Sequence, residues 1–141
     1  MNGIACWYGG SIEVGDDDLA NQSVIKYNTE DGILIWEAGN VRAERSYING
    51  NSLNGVTVSG VGTIYIKDGG LTNNGEYALF VGGNAQANVA NCVINTTNTG
   101  IAGVHVKAIY AGFIFMEDLS SSITISPPWG TVGNGNAHIG Q

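Results

Sequence analysis

Basic charge is scarce in this sequence: five Lys and Arg stand against twelve Asp and Glu in 141 residues, for a formal net charge of −7. Sequence-independent binding to nucleic acid needs clustered cations opposite the phosphates, so no nucleic-acid partner is expected. Only two cysteines are present, Cys6 and Cys92, too few for a disulfide scaffold. Both read as small buried apolar residues. No apolar run exceeds nine residues, Ala108 to Met116, so no helix is long enough to span a bilayer and no membrane insertion is expected. The start, Met1-Asn2-Gly3-Ile4, has neither a basic nor a long apolar stretch, so no signal peptide is read there. The glycosylation-like triplets Asn21-Gln22-Ser23 and Asn95-Thr96-Thr97 are discounted for the same reason. Motifs for zinc, thiol redox, acyl transfer and phosphate binding (HExxH, CxxC, GxSxG, GxxxxGK[ST]) are missing. His105 and His138 are isolated, and Asp16-Asp17-Asp18 reads as a solvated turn. No metal or cofactor is expected.

What is present is glycine, asparagine and a repeat. Charged residues make up 12% of the chain and apolar residues 43%, which argues against charge-rich disorder. The 22 glycines follow no every-third-residue period, so collagen is out. Ile33, Val56 and Leu79 are spaced 23 residues apart. Two positions on stand Ile35, Val58 and Val81; eight on, Val41, Ile64 and Ala87; ten on, Ala43, Ile66 and Val89; fifteen on, Ile48, Leu71 and Ile94. All fifteen are apolar. A copy beginning at Ile4 adds Cys6, Ile12, Val14 and Leu19. The segment from Ala20 to Gly32 is extra and holds a short strand, Val24 to Tyr27. A copy beginning at Val104 adds Val106, then Phe113, Phe115 and Leu119 after a one-residue insertion. A last partial copy begins at Ile123 and Ile125.

Each copy holds pairs of apolar residues at i and i+2, the mark of a strand with one buried side. Glycines separate the first two pairs: Gly9-Gly10, Gly39, Gly60 and Gly62, Gly82-Gly83, and Gly112. They are expected to bend the chain with positive φ. Polar turns follow the third apolar site, and Asn49, Thr72, Asn95 and Ser120 fall at equivalent places. Three short strands cannot bury one side alone, but stacked coils can. An amphipathic helix fails because no i, i+3, i+4 spacing is sustained. A β-sandwich gives no reason for a 23-residue period. The expected fold is therefore all-β: a single-stranded right-handed parallel β-helix of five to six coils over residues 1–126, followed by a tail or cap over 127–141 beginning near Pro127-Pro128. At about 4.8 Å per coil the rod is roughly 25–30 Å long. The strand-like start with no cap is read as belonging to a longer chain.

Function must then lie on outward residues. Trp7 and Trp36 share a column on the first strand and are candidate platforms for sugar rings. Leu34, Thr57, Phe80 and His105 form the neighbouring column, and a subunit contact or aromatic ladder is the competing use of this face. The second strand exposes Glu13, Arg42, Glu44, Tyr65, Lys67 and Asn88. Glu13 and Glu44 lie one coil apart and two residues along, an α-carbon separation of about 8 Å. That separation is compatible with the carboxylate pairs of glycosidases, which makes them candidate catalytic residues. Arg42, Tyr65 and Lys67 are candidate substrate-binding residues, the two cations able to hold an acidic sugar. A solvated salt-bridge face is the plain alternative.

The stacked copies from Ile33, Val56, Leu79 and Val104, with their Asn/Ser/Thr turns, resemble the right-handed β-helices of pectate-lyase-like proteins. With the Gly/Asn richness and low charge, the resemblance is greatest to bacteriophage tailspikes and tail fibres. It covers residues 4–126 and is one of repeat style, with no catalytic motif. It implies a homotrimer on the virion that recognises bacterial surface polysaccharide, with or without depolymerase activity. The alternatives are a non-catalytic shaft or trimerisation module, or part of a bacterial polysaccharide lyase or adhesin, extracellular or on the cell surface.

Overall fold

The computed structural model describes residues 1–15, 22–95, 106–117 and 136–139. Its strands follow one another round a repeating coil. The first coil is β1 (Ile4–Trp7), β2 (Ser11–Val14) and β3 (Ser23–Lys26). The second is β4 (Ile33–Trp36), β5 (Asn40–Glu44) and β6 (Ser46–Asn49), and the third is β7 (Val56–Val58), β8 (Thr63–Lys67) and β9 (Gly70–Thr72). The fourth is β10 (Leu79–Val81), β11 (Gln86–Ala90) and β12 (Val93–Asn95). A fifth contributes β13 (Val106–Ala108) and β14 (Phe113–Glu117), and β15 (Asn136–Ile139), within the segment 127–141, pairs in parallel with β14. First strands stack in the order β1-β4-β7-β10-β13, second strands as β15-β14-β11-β8-β5-β2, and third strands as β12-β9-β6-β3. This is a parallel β-solenoid of about four full turns, where five to six coils were expected.

The fifteen apolar positions of the 23-residue repeat form the inside. Ile33, Ile35, Val41, Ala43 and Ile48 are fully buried, as are their equivalents in the next two coils to within 2% exposure. Each side chain lies over its counterpart because the registers are exact multiples of the repeat: Ile33 pairs with Val56, Val56 with Leu79, Val41 with Ile64, Ile64 with Ala87. In the first coil Ile4, Ile12 and Val14 are only partly buried against this core. Burying one such side chain contributes about 1.5–3 kcal/mol, so the column of isoleucines, valines and leucines dominates stability.

Two coils are longer than 23 residues, and the extra length is confined to corners. Ile4 pairs with Ile33 and Ile12 with Val41, 29 residues on, whereas Ile25 pairs with Ile48, 23 on. The six added residues therefore lie between Val14 and Ser23. Ile25, rather than Leu19, holds the third inward site, and Leu19 and the Asp16–Asp18 run lie outside the described residues. Leu79 pairs with Val106, 27 residues on, so four residues are added between Asn95 and Val106. This corrects the fifth copy. Val106 and Ala108 are the inward pair of β13, while Ile114 and Met116 point in from β14. Phe113 is 38% exposed and pairs with Gln86 on the outer face. All four residues from Phe113 to Met116 are apolar, so hydrophobicity alone did not select a face, and a one-residue slip exchanges the two sides of a strand. Val104, Leu119, Ile123 and Ile125 lie outside the described residues.

Left-handed backbone turns each corner, and it stacks too. At the first corner Tyr8, Glu37, Gly60, Gly83 and Tyr110 all have φ between 49° and 75°. At the second, Arg45, Asp68 and Asn91 lie between 46° and 54°; at the third, Tyr27, Gly50 and Asn73 lie between 54° and 65°. Most of these are not the glycines expected to make the bends. Gly39 and Gly112 serve a different need: a β-carbon at either would lie 2.6 Å from the Cys6 carbonyl oxygen or 2.5 Å from that of Val81. Close approach, not positive φ, requires glycine there.

Polar ladders hold the third corner. Asn49 Nδ2 donates to Thr72 Oγ1 at 3.0 Å, as the sequence column predicts. A deeper ladder was not anticipated. Asn28 N and Nδ2 both donate to Asn51 Oδ1 at 3.1 and 2.9 Å, and Asn51 N and Nδ2 repeat this with Asn74 Oδ1 at 3.1 and 2.9 Å. Asn74 Nδ2 donates in turn to the Ile48 carbonyl. A parallel series runs from Asn2 to Asp31, Asn54 and Tyr77, each backbone amide donating to the side-chain oxygen one coil back. These asparagines satisfy backbone groups that the corner removes from the sheets.

Both cysteines are free and buried. Burial pushes the Cys92 thiol up to about 11, and its Sγ donates to the Ala90 carbonyl at 3.2 Å.

Replacing Asn51 by Ala leaves a backbone amide, a carbonyl and a partner amide unpaired inside, so unfolding should become easier by about 3 kcal/mol, whereas Asn49→Ala at the half-exposed ladder should cost under about 1 kcal/mol. Chemical denaturation of both variants measures the contrast. For Cys92 the folded pKa exceeds the unfolded one, so its stabilising contribution is complete below about pH 8.5 and is lost as pH rises through about 11. The native thiol should resist an aromatic disulfide reagent at pH 8 and react only once the chain is unfolded.

Candidate functional site

Two outward surfaces gather the residues singled out by sequence. The first is the ridge where the first and second sheets meet. Parallel pairing puts Trp7 directly opposite Trp36, one coil apart. Inward neighbours Cys6 and Ile35 fix the strand face, so alternation forces both indoles out. They are 53% and 48% exposed. Tyr8 follows on the left-handed corner, 72% exposed, with its ring edge-on to Trp7 at a centroid distance of 6.3 Å. At about 4.8 Å between coils, the two indoles leave adjacent backbone positions on one face. Further along the same corner Val61 and Tyr110 are also exposed.

The neighbouring outward column reads Ala5, Leu34, Thr57, Phe80, Lys107. Lys107 occupies the place expected for His105, because of the four added residues; His105 itself lies outside the described residues. This column is tied down. Lys107 Nζ donates to the Tyr77 hydroxyl at 3.2 Å and lies over that ring, and the Tyr77 and Phe80 rings are 5.9 Å apart.

The second surface is the outer face of the second sheet. Glu13 pairs with Arg42, and Arg42 with Tyr65. The structure brings Glu13 and Glu44 together, but around one guanidinium. Arg42 Nε donates to Glu44 Oε1 at 2.9 Å, and Arg42 Nη1 stands 4.0 Å from Glu13 Oε1. The Glu44 side chain is only 10% exposed, whereas that of Glu13 is 68% exposed. The Arg42 guanidinium also lies 6.0 Å from the centre of the Tyr65 ring. Lys67 points its ammonium at Asp68, 3.9 Å away. The arrangement is an ion triad with an aromatic shelf. A glycosidic general acid must reach the leaving oxygen, and a covered carboxylate already bonded to arginine is poorly placed for that.

Among the described residues no group of three His, Cys, Asp or Glu side chains converges to hold a metal ion. Among the described residues no helix is long and apolar enough to cross a membrane.

Sequence reasoning missed Tyr8 and Tyr110 on the ridge. It also missed a groove at the second corner, lined by Arg45, Tyr47, Asp68 and Asn91 among others. Arg45, Asp68 and Asn91 recur every 23 residues, and Asp and Asn favour left-handed corners, so the spacing carried a signal.

Comparison with protein-family models, curated proteins and solved structures finds no match for this chain. No match supports a tailspike or pectate-lyase-like assignment, and that resemblance rests on the repeat pattern and composition of the sequence.

Arg42→Ala should destabilise the fold by about 1–2 kcal/mol, because it strips the guanidinium from a nearly covered carboxylate. Glu13→Gln, at an exposed partner, should stay within about 0.5 kcal/mol of the parent. Urea midpoints for the two variants test whether Arg42 serves the scaffold.

Proposed function

We propose that this β-solenoid recognises bacterial surface polysaccharide through the first-corner ridge, in the manner of a bacteriophage tailspike or tail-fibre segment working as a homotrimer. The observation that carries the reading is the in-register pair Trp7 and Trp36, half-exposed on adjacent coils with Tyr8 beside them. Leaving two indoles and a phenol in water forgoes the stabilisation of burying them. Flat aromatic faces suit the C–H-rich faces of sugar rings, and a polymer lying along the rod would meet both indoles on adjacent coils. Recognition, not cleavage, is proposed: Glu44 is covered and bound to Arg42, and only Glu13 is open to solvent.

A second reading has its own support. Val61, Tyr110 and Phe113 are exposed apolar side chains in the described coils beyond the tryptophans. A non-catalytic shaft would bury this ridge between copies of the chain.

Binding to a panel of purified bacterial capsular and O-antigen polysaccharides should be weakened at least about tenfold by Trp7→Ala and by Trp36→Ala, with circular dichroism unchanged. Parent-like affinity in both variants, or no binding across the panel, defeats the recognition reading. Light scattering then decides the shaft: a trimer that the same substitutions dissociate supports it.

A further inference from the structure

The groove at the second corner has an architecture separate from the ridge. Its volume is about 410 Å3, within the range of about 300–1,000 Å3 common for small-ligand sites. Three coils supply one residue each at the same left-handed position: Arg45, Asp68 and Asn91, with φ of 46°, 54° and 48°. Their backbones are pinned. Arg45 N donates to the Lys67 carbonyl at 2.8 Å, Asp68 N to that of Ala90 at 3.2 Å, and Asn91 N to that of Glu117 at 3.1 Å. The chain therefore sets the α-carbons of an arginine, an aspartate and an asparagine in a row, stepped by about 4.8 Å.

The side chains are ordered as well. Asn91 Nδ2 donates to Asp68 Oδ1 at 2.7 Å, which fixes the carboxylate plane and leaves Oδ2 facing the Lys67 ammonium at 3.9 Å. Each carboxylate oxygen keeps acceptor capacity beyond these contacts. Next to the row the middle coil has Gly69 and Gly70, with no side chains, while the coils on either side have Tyr47 and Val93 in the adjoining strands. The Tyr47 ring stands against Gly70, where an added β-carbon would lie 3.0 Å from the ring carbon Cδ1. The bare glycines make the depression, and the tyrosine and valine make its walls. Gln22 adds a second carboxamide at the rim.

We infer that this groove is a binding site for a neutral pyranose unit, held by a pair of vicinal hydroxyls on Asp68 and Asn91 and by its ring face against Tyr47. The hydrogen-bonding groups favour this class. Arg45 and Asp68 are the charged residues that line the groove, and the Lys67 ammonium stands beside them on Asp68. A carboxylate, a carboxamide and a guanidinium together accept and donate to adjacent hydroxyls, and charge-assisted bonds to Asp68 are the strongest of these. Preformed backbone and a locked carboxylate keep the ordering cost of binding small. The site deepens the polysaccharide reading without depending on the Trp7–Trp36 ridge.

The test is a titration of the ¹⁵N-labelled chain with methyl α-glucopyranoside, methyl α-mannopyranoside and methyl β-N-acetylglucosaminide, followed by amide shifts. Saturable shifts should be confined to Gly69, the Asn91 side-chain amide and their neighbours. Asp68→Asn, which keeps the size and an acceptor for Asn91, should weaken binding at least about tenfold. Tyr47→Ala should do the same, and the Trp7→Ala/Trp36→Ala double variant should leave it unchanged. Absence of saturable shifts in the groove for all three probes up to about 50 mM, well past millimolar affinity, overturns the inference. So does an Asp68→Asn variant that binds within twofold of the parent. Neither result touches the ridge, whose polymer binding is read separately through the tryptophan variants.

Discussion

Every feature of this molecule depends on one constraint: each coil must lie on the next in exact register, so that its strands complete their hydrogen bonds and its inward side chains find their equivalents. A three- to five-residue strand is too short to persist alone. Stacking supplies both missing components, parallel backbone bonds along three sheets and an apolar column with no exposed flank. Ile4, Ile12 and Val14 of the first coil pack against this column while remaining partly buried.

The same constraint governs the corners. A solenoid corner takes backbone groups out of the sheets, and they must be satisfied within roughly 5 Å along the axis. Asn28, Asn51 and Asn74 meet this requirement because a carboxamide both donates and accepts, so each residue can serve the coil on either side. Left-handed residues stack at all three corners, and the strain in Tyr8, Glu37 and Arg45, about 1 kcal/mol each, is offset by the pairing it permits on both sides. The outward surfaces inherit this order. Trp7 faces Trp36, and Arg45, Asp68 and Asn91 form a row, because the backbone beneath them repeats.

Much of the fold was legible because one strand period and one coil period coincide in the apolar residues. Ile35, Val58 and Val81 declare both at once, and all three are fully buried. Legibility failed where a face could not be inferred from polarity. Phe113 to Met116 are uniformly apolar, and only the pairing of Gln86 with Phe113 and Ala87 with Ile114 assigns the sides. It failed also where length changes: Leu19 and Ile25 are both apolar, and the choice between them rests on the Ile25–Ile48 pairing. At the surface, the Trp7–Trp36 column and the Glu13–Arg42–Glu44 cluster could be placed by counting. The capture of both carboxylates by one guanidinium could not, since side-chain reach is not encoded in spacing. The second-corner groove was hidden for a related reason: a concavity arises from missing side chains at Gly69 and Gly70, and a sequence advertises what is present.

The 29- and 27-residue coils keep the same strand registers as their 23-residue neighbours, with the added length held between Val14 and Ser23 and between Asn95 and Val106. Strand register is thereby uncoupled from coil length. Segments spliced in at those two points would leave the internal columns of the solenoid undisturbed, which makes each a natural place for grafted epitopes or for diversification from one variant to another.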